Sequence, residues 1–292
     1  MTETAAIFSD TVCTLGEGPA AHPALGRLFW FDITGRRLLE QPFDGGATLA
    51  HDLPVMASVM AVVDDRTQLI ASENGLYLRD VTSGRLTLHT PLEADNPQTR
   101  SNDGRVHPCG ALWIGTMGKN AEKEAGALYW FFRGELRRLF SGISIINSIA
   151  FAPDGRTAYF ADTRLNTIWR IATDPTTGLP QGERQVFATI PAGAGGPDGS
   201  VADADGLLWN ARWGGGCIDV YAPDGRRLRS VPVPARQPSC PAFIGANADR
   251  MAITTATEGY DAAALTADPQ AGRTFLLPMR VAGRFDPPVR LA

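Results

Sequence analysis

Short apolar runs separated by polar turns recur along the whole chain, and six of them are alike. They are "GRLFWFDI" from Gly26, "RTQLIASE" from Arg66, "GALWIGTM" from Gly110, "RTAYFADT" from Arg156, "GLLWNARW" from Gly206 and "DRMAITTA" from Asp249. Trp30, Ile70, Trp113, Tyr159, Trp209 and Ala252 fill equivalent positions in these runs. The spacing of roughly 40–50 residues is the period of a four-stranded propeller blade. A second strand-like run follows, as in "NGLYLRD", "GALYWFF", "TIWRIAT" and "CIDVYAP". "APDGR" at Ala152 and Ala222 and "DADGL" at Asp203 supply Asp-Gly turns, where glycine accepts the positive φ of a tight hairpin. About twenty-four short strands and hardly any helix are predicted. The expected fold is all-β: a six-bladed β-propeller with four antiparallel strands per blade, one domain over residues 1–292. Radial closure protects the many strand edges. A pair of β-sandwiches competes, but leaves the period unexplained.

In a propeller, equivalent positions of successive blades lie on a circle about the axis. The slot roughly a dozen residues before each marker holds Glu17, Ser58-Val59, Asn102, Asn147, Asp198 and Pro241. Two carboxylates and two amides would converge at one end of the central channel. Such a hard-oxygen set suits one divalent cation: calcium, magnesium or manganese readily, zinc or iron(II) with fewer of their usual ligands. His22, His51, His89 and His107 lie outside the slot. Asp-Gly and Asn-Asp-Gly are also ordinary turn formers, so scattered turns are the competing reading. Asn147 resists it, because an amide among isoleucines must find partners or cost about 1–3 kcal/mol. Glu17 resists it too. In "TLGEGP" two glycines and a proline control the backbone around a single acid.

Composition narrows the class. The chain is 44% hydrophobic and 20% charged with a net charge of −4, which excludes a disordered chain. No basic stripe suggests nucleic acid, and no apolar run approaches the roughly 18 residues of a membrane span. "MTETAAIFSD" does not read as a leader. Cys13, Cys109, Cys217 and Cys240 are far apart, which fits reduced thiols and a cytoplasmic protein.

"LGEGP" at Leu15, "RSNDGRV" at Arg100, "LWIGTM" at Leu112, "GALYW" at Gly126, "INSIAFAPDGRTAYFADT" at Ile146 and "PDGSVADADGLLWNARWGGG" at Pro197 together resemble the SMP-30/gluconolactonase/luciferin-regenerating-enzyme family. The resemblance runs essentially from end to end and implies the same six-bladed propeller. It further implies Glu17, Asn147 and Asp198 as metal ligands, and Arg100 and Asn102 as substrate-binding residues. Related phosphotriesterase-like propellers use the Asn102 slot as a metal ligand, so Asn102 reaches either the ion or the substrate. Animal members place a substrate-contacting Glu shortly after "GTM". Here that position is Asn120, with Glu122 and Glu124 close behind.

The implied activity is hydrolysis of a sugar lactone to the aldonic acid by a monomer or weak homo-oligomer. Asp198 is the expected general base, as a ligand oxygen able to take a proton from the attacking water. Asp32 and Asp162 are expected to buttress turns or neighbouring site groups. Trp213 and the glycines after it form either a rim over the sugar or a point of close blade packing. No G-x-S-x-G elbow is present, which argues against a serine hydrolase. A calcium-dependent phosphotriesterase or arylesterase and a non-catalytic calcium-binding propeller are the alternatives.

Overall fold

The computed structural model describes residues 4–292. Their twenty-four strands form six four-stranded antiparallel sheets, and the one α-helix among them is Ala262–Ala267. The six sheets are the blades. Their inner strands are Gly16–His22, Ala57–Val62, Thr99–Val106, Ile146–Phe151, Gly196–Ala202 and Pro238–Ile244. The six look-alike runs are the second strands, Arg27–Asp32, Thr67–Ser72, Leu112–Gly118, Thr157–Asp162, Leu208–Trp213 and Arg250–Thr255.

These second strands are apolar because both faces pack against neighbouring blades. Trp30, Trp113 and Trp209 are wholly buried there. One cluster joins Trp209 and Ile218 of blade 5 to Phe243, Ile253 and Phe275 of blade 6. The ring closes through the chain's two extremes: blade 6 takes its outer strand, Ala6–Ser9, from the start of the chain and pairs it with Thr274–Leu276.

Every inner strand slips register against its second strand at the same height. The slips fall at Glu17/Ala20, Ala57/Val59, Ser101/Gly104, Asn147/Ala150, Pro197/Ser200 and Pro238/Pro241. Bulges of this kind re-aim side chains. Here they form a ring at one end of the channel. In blade 6 the register puts Pro238 and Ser239 at this height, not Pro241.

The opposite end is sealed by residues 278–292, an irregular strap that touches all six blades. Val281 N donates to Asp249 O (3.1 Å), Ala204 N to Ala282 O (2.7 Å) and Val289 N to Val62 O (2.8 Å). Arg284 Nη2 donates to Phe151 O (2.5 Å), Phe285 stacks on Phe43, and Asp286 pairs with Arg105 at 3.3 Å. A void of about 40 Å³ beside Arg105, Arg284 and Asp286 remains, room for water.

Candidate active site

The bulge ring brings Glu17, Asn102, Asn147 and Asp198 together around an open cavity of about 270 Å³, with Arg100 and Glu258 also on its wall. Leu15, Met117, Ile145 and Trp213 form its apolar sides.

The local sequence explains how each residue is aimed. Gly18 has φ +55°, and a Cβ there would collide with the Ser58 carbonyl; a Cβ on Gly16 would collide with that of Thr255. Both glycines are therefore required for Glu17 to enter the channel between blades 6 and 2. Asp32, buried at the end of its strand, accepts from Leu15 N (3.0 Å) and from Arg37 Nη2 (2.7 Å), which fixes the approach to Glu17. Asp162 does the same for Asn147, accepting from Ser144 N (3.0 Å) and Ile145 N (3.2 Å). The buttressing expected of this pair is what the structure shows.

The amides form one continuous relay. Arg100 Nη1 donates to Asn102 Oδ1 (2.7 Å), Asn102 Nδ2 to Asn147 Oδ1 (2.9 Å), Asn147 Nδ2 to Thr163 Oγ1 (2.8 Å), and Thr163 Oγ1 to Pro197 O (2.8 Å). Asn147 thus finds the partners that its apolar neighbours cannot supply. Asn102 uses both ends of its amide on neighbours, so it orients Arg100 and Asn147. Thr163, the last residue of "RTAYFADT", closes the relay.

The carboxylates are less well provided for. Glu17 accepts from Gly18 N (2.8 Å), whereas no group among the described residues donates to the Asp198 side chain. Burial and then Asp103 push Glu17 upward; burial and then Glu17, within hydrogen-bonding reach, push Asp198 upward. Asp103 itself is held by Gly104 N and Ile149 N, both at 2.8 Å. Burial lowers the Arg100 guanidinium, which is the cation nearest to them in the cavity wall. Two buried acids that repel each other, beside an amide oxygen, make a donor set that fits a divalent cation. No group of three or more His, Cys, Asp or Glu side chains that could hold a metal ion occurs among the described residues; the oxygen that accompanies the two acids in the cavity wall is that of the Asn147 amide.

Asn120 is not brought to the cavity. It is exposed, and its backbone N and Nδ2 donate to Glu122 at 3.1 and 2.9 Å. Glu122 is thereby occupied, and Glu124 lies exposed against Lys123. That loop reaches the cavity only through Ala121, whose carbonyl Arg164 holds at 3.1 Å. The glycines after Trp213 serve close packing: a Cβ on Gly215 would meet Ala194 O at 2.7 Å, and Arg212 Nη2 ties that loop through Ala194 O and Gly195 O. Glu258 escaped the sequence reading. Its only signal is an acid in "TATEGYD" just after the sixth look-alike run.

The SMP-30/Gluconolactonase/LRE-like region model matches residues 15–257. The chain belongs to this family. Within the family it is 36% identical to an L-arabinolactonase of Azospirillum brasilense, over 96% of this chain and 93% of that protein. It is 35% identical to a pentonolactonase of Haloferax volcanii, over 97% of each. A crystal structure of a calcium-binding protein, regucalcin, from Agrobacterium tumefaciens superposes with a TM-score of 0.97 at 49% identity, covering 99% of this chain and 98% of that one. No helix among the described residues is long and apolar enough to cross a membrane.

Proposed function

We propose that this chain is a divalent-cation-dependent lactonase that opens a neutral sugar lactone to its aldonic acid. The observation that carries this reading is the buried Glu17–Asp198 pair, which shares the wall of an open cavity with the Asn147 amide and Arg100. The bond cleaved is a carboxylic ester, and the relatives named for arabinolactone and pentonolactone favour five-carbon substrates, with gluconolactone within the same class.

Glu17, Asn147 and Asp198 would hold the cation. A bound divalent cation polarises the lactone carbonyl and lowers the pKa of water. Asp198 takes the proton from the water that attacks the carbonyl carbon, and returns it to the ring oxygen as that C–O bond breaks. Arg100, fixed through Nη1 to Ser101 O (3.0 Å) and Asn102, points its remaining N–H groups at substrate hydroxyls. The apolar wall limits competing water.

The test is proton release by purified protein, stripped of metal and reloaded with calcium, manganese, zinc, magnesium or iron(II), on arabinono-, xylono-, galactono- and gluconolactone. Spontaneous opening is subtracted. Cation-dependent turnover of at least one lactone is expected. No turnover with any cation, or a strong preference for an aryl phosphotriester, overturns the reading.

A further inference from the structure

The cavity holds one acidic side chain that neither the amide relay nor the carboxylate pair uses. Glu258 lines the wall, and no group among the described residues hydrogen-bonds its carboxylate. Its backbone, in contrast, is firmly tied. Gln237 Nε2 donates to Glu258 O (3.1 Å) and to Ala256 O (3.3 Å). Thr257 N donates to Thr14 O (3.0 Å), Thr257 Oγ1 to Cys13 O (3.3 Å), and Ala256 bridges Leu15. The acid is thus pinned to the segment that leads into Glu17, at the joint between blades 6 and 1.

A partly buried carboxylate with a fixed backbone and a free head is an acceptor without a donor. Arg100 is the opposite case, a guanidinium with donors left over. The loop after "GTM" offers no acid here, because neither Glu122 nor Glu124 lines the cavity. A polyhydroxylated ligand carries donors and acceptors on neighbouring carbons, so it satisfies both groups at once.

We propose that Glu258 is a specificity-determining residue that accepts a hydrogen bond from a hydroxyl of the sugar lactone, in the same cavity wall as Arg100. This rests on the lactonase reading above and assigns the hydroxyl-binding acid to blade 6. Glu258 does not hold the cation and does not transfer the reacting proton. It raises the affinity for hydroxylated substrates over lactones of the same ring without hydroxyls, because a site built to bond a hydroxyl rejects the analogue that lacks it.

The test compares wild type, Glu258→Ala and Glu258→Gln, each loaded with the most active cation, on arabinonolactone and on γ-butyrolactone. Glu258→Ala is expected to lower kcat/KM for arabinonolactone by about 10- to 100-fold more than for γ-butyrolactone, chiefly through KM. Glu258→Gln, which keeps an acceptor oxygen, is expected to recover part of that loss. Circular dichroism and melting temperature verify that each variant folds. Equal losses on both lactones, or a loss confined to kcat, overturn the assignment while leaving the lactonase reading in place. A wild type that opens none of the four sugar lactones named above overturns both.

Discussion

The two ends of the channel both bury charge, and they treat it differently. At the sealed end Arg105 is paired with Asp286 and donates through Nη2 to Ser200 O (3.3 Å). Burial works against its charge, but Asp286, Cys240 and Asp103 push it upward on balance. At the open end Glu17 and Asp198 oppose each other, and the Asp198 side chain has no donor. A protein that needed only to fold would have paired these acids as it paired Arg105. Unbalanced buried charge beside a cavity is the mark of a site that waits for a ligand.

Four experiments sharpen or break this contrast. Asp198→Asn has the largest expected effect: cation-dependent lactone hydrolysis falls about 10²- to 10⁴-fold, while the melting temperature holds, because one of two repelling charges has gone. A full-rate variant in a proton-release assay would remove Asp198 from the chemistry. Gly18→Ala comes next, forcing a Cβ against Ser58 O at positive φ. A loss of about 3 kcal/mol in urea unfolding is expected, together with weaker cation binding by calorimetry.

Arg105→Ala probes the sealed end. Breaking a fully buried pair costs about 3–5 kcal/mol, but Asp286 is 30% exposed, so about 2 kcal/mol is expected. Arg105 is also one of the positive charges that act on Glu17, so its loss should strengthen cation binding by about threefold; a loss of affinity would show that the strap itself shapes the site. The smallest effect is on pH. Glu17 is raised to about 8, so the metal-free native state binds more protons than the unfolded chain between its ordinary carboxylate pKa and that value. Stability then falls as pH rises through this window and recovers as pH drops. A shift of about 1–2 kcal/mol, roughly 2–5 °C, is expected. The cation-loaded protein should not show it in the same melting series.

Most of the open end was legible in the sequence, and little of the sealed end was. Trp30, Trp113 and Trp209 recur because burial between blades demands an apolar residue at that height, so the period exposes the blades. The slot before each marker found Glu17, Asn102, Asn147 and Asp198, since the same bulge recurs in every inner strand. A fixed offset cannot follow turns of different length, which is why Pro241 stood where Pro238 and Ser239 belong. Glu258 lies beyond a strand end, outside any repeating slot. The strap was invisible for a plainer reason: an irregular segment held to six blades by a mixture of backbone bonds, side-chain bonds and one ring stack has no period to detect. Asn120 was placed by motif, and Glu122 draws its loop away from the cavity.

Blade 6 joins Ala6–Ser9 to Thr274–Leu276, so the ring is completed by contacts between segments very far apart in sequence. Such pairings form late, because the loop-closure entropy is lost before the contact returns anything. Ser239 in blade 6 donates to the Gly16 carbonyl, and Glu17 follows at once. Part of that carboxylate's support is therefore in place only when the circle shuts. Capture of a cation would then report the last step of folding, and a refolding intermediate with five formed blades should be blind to it.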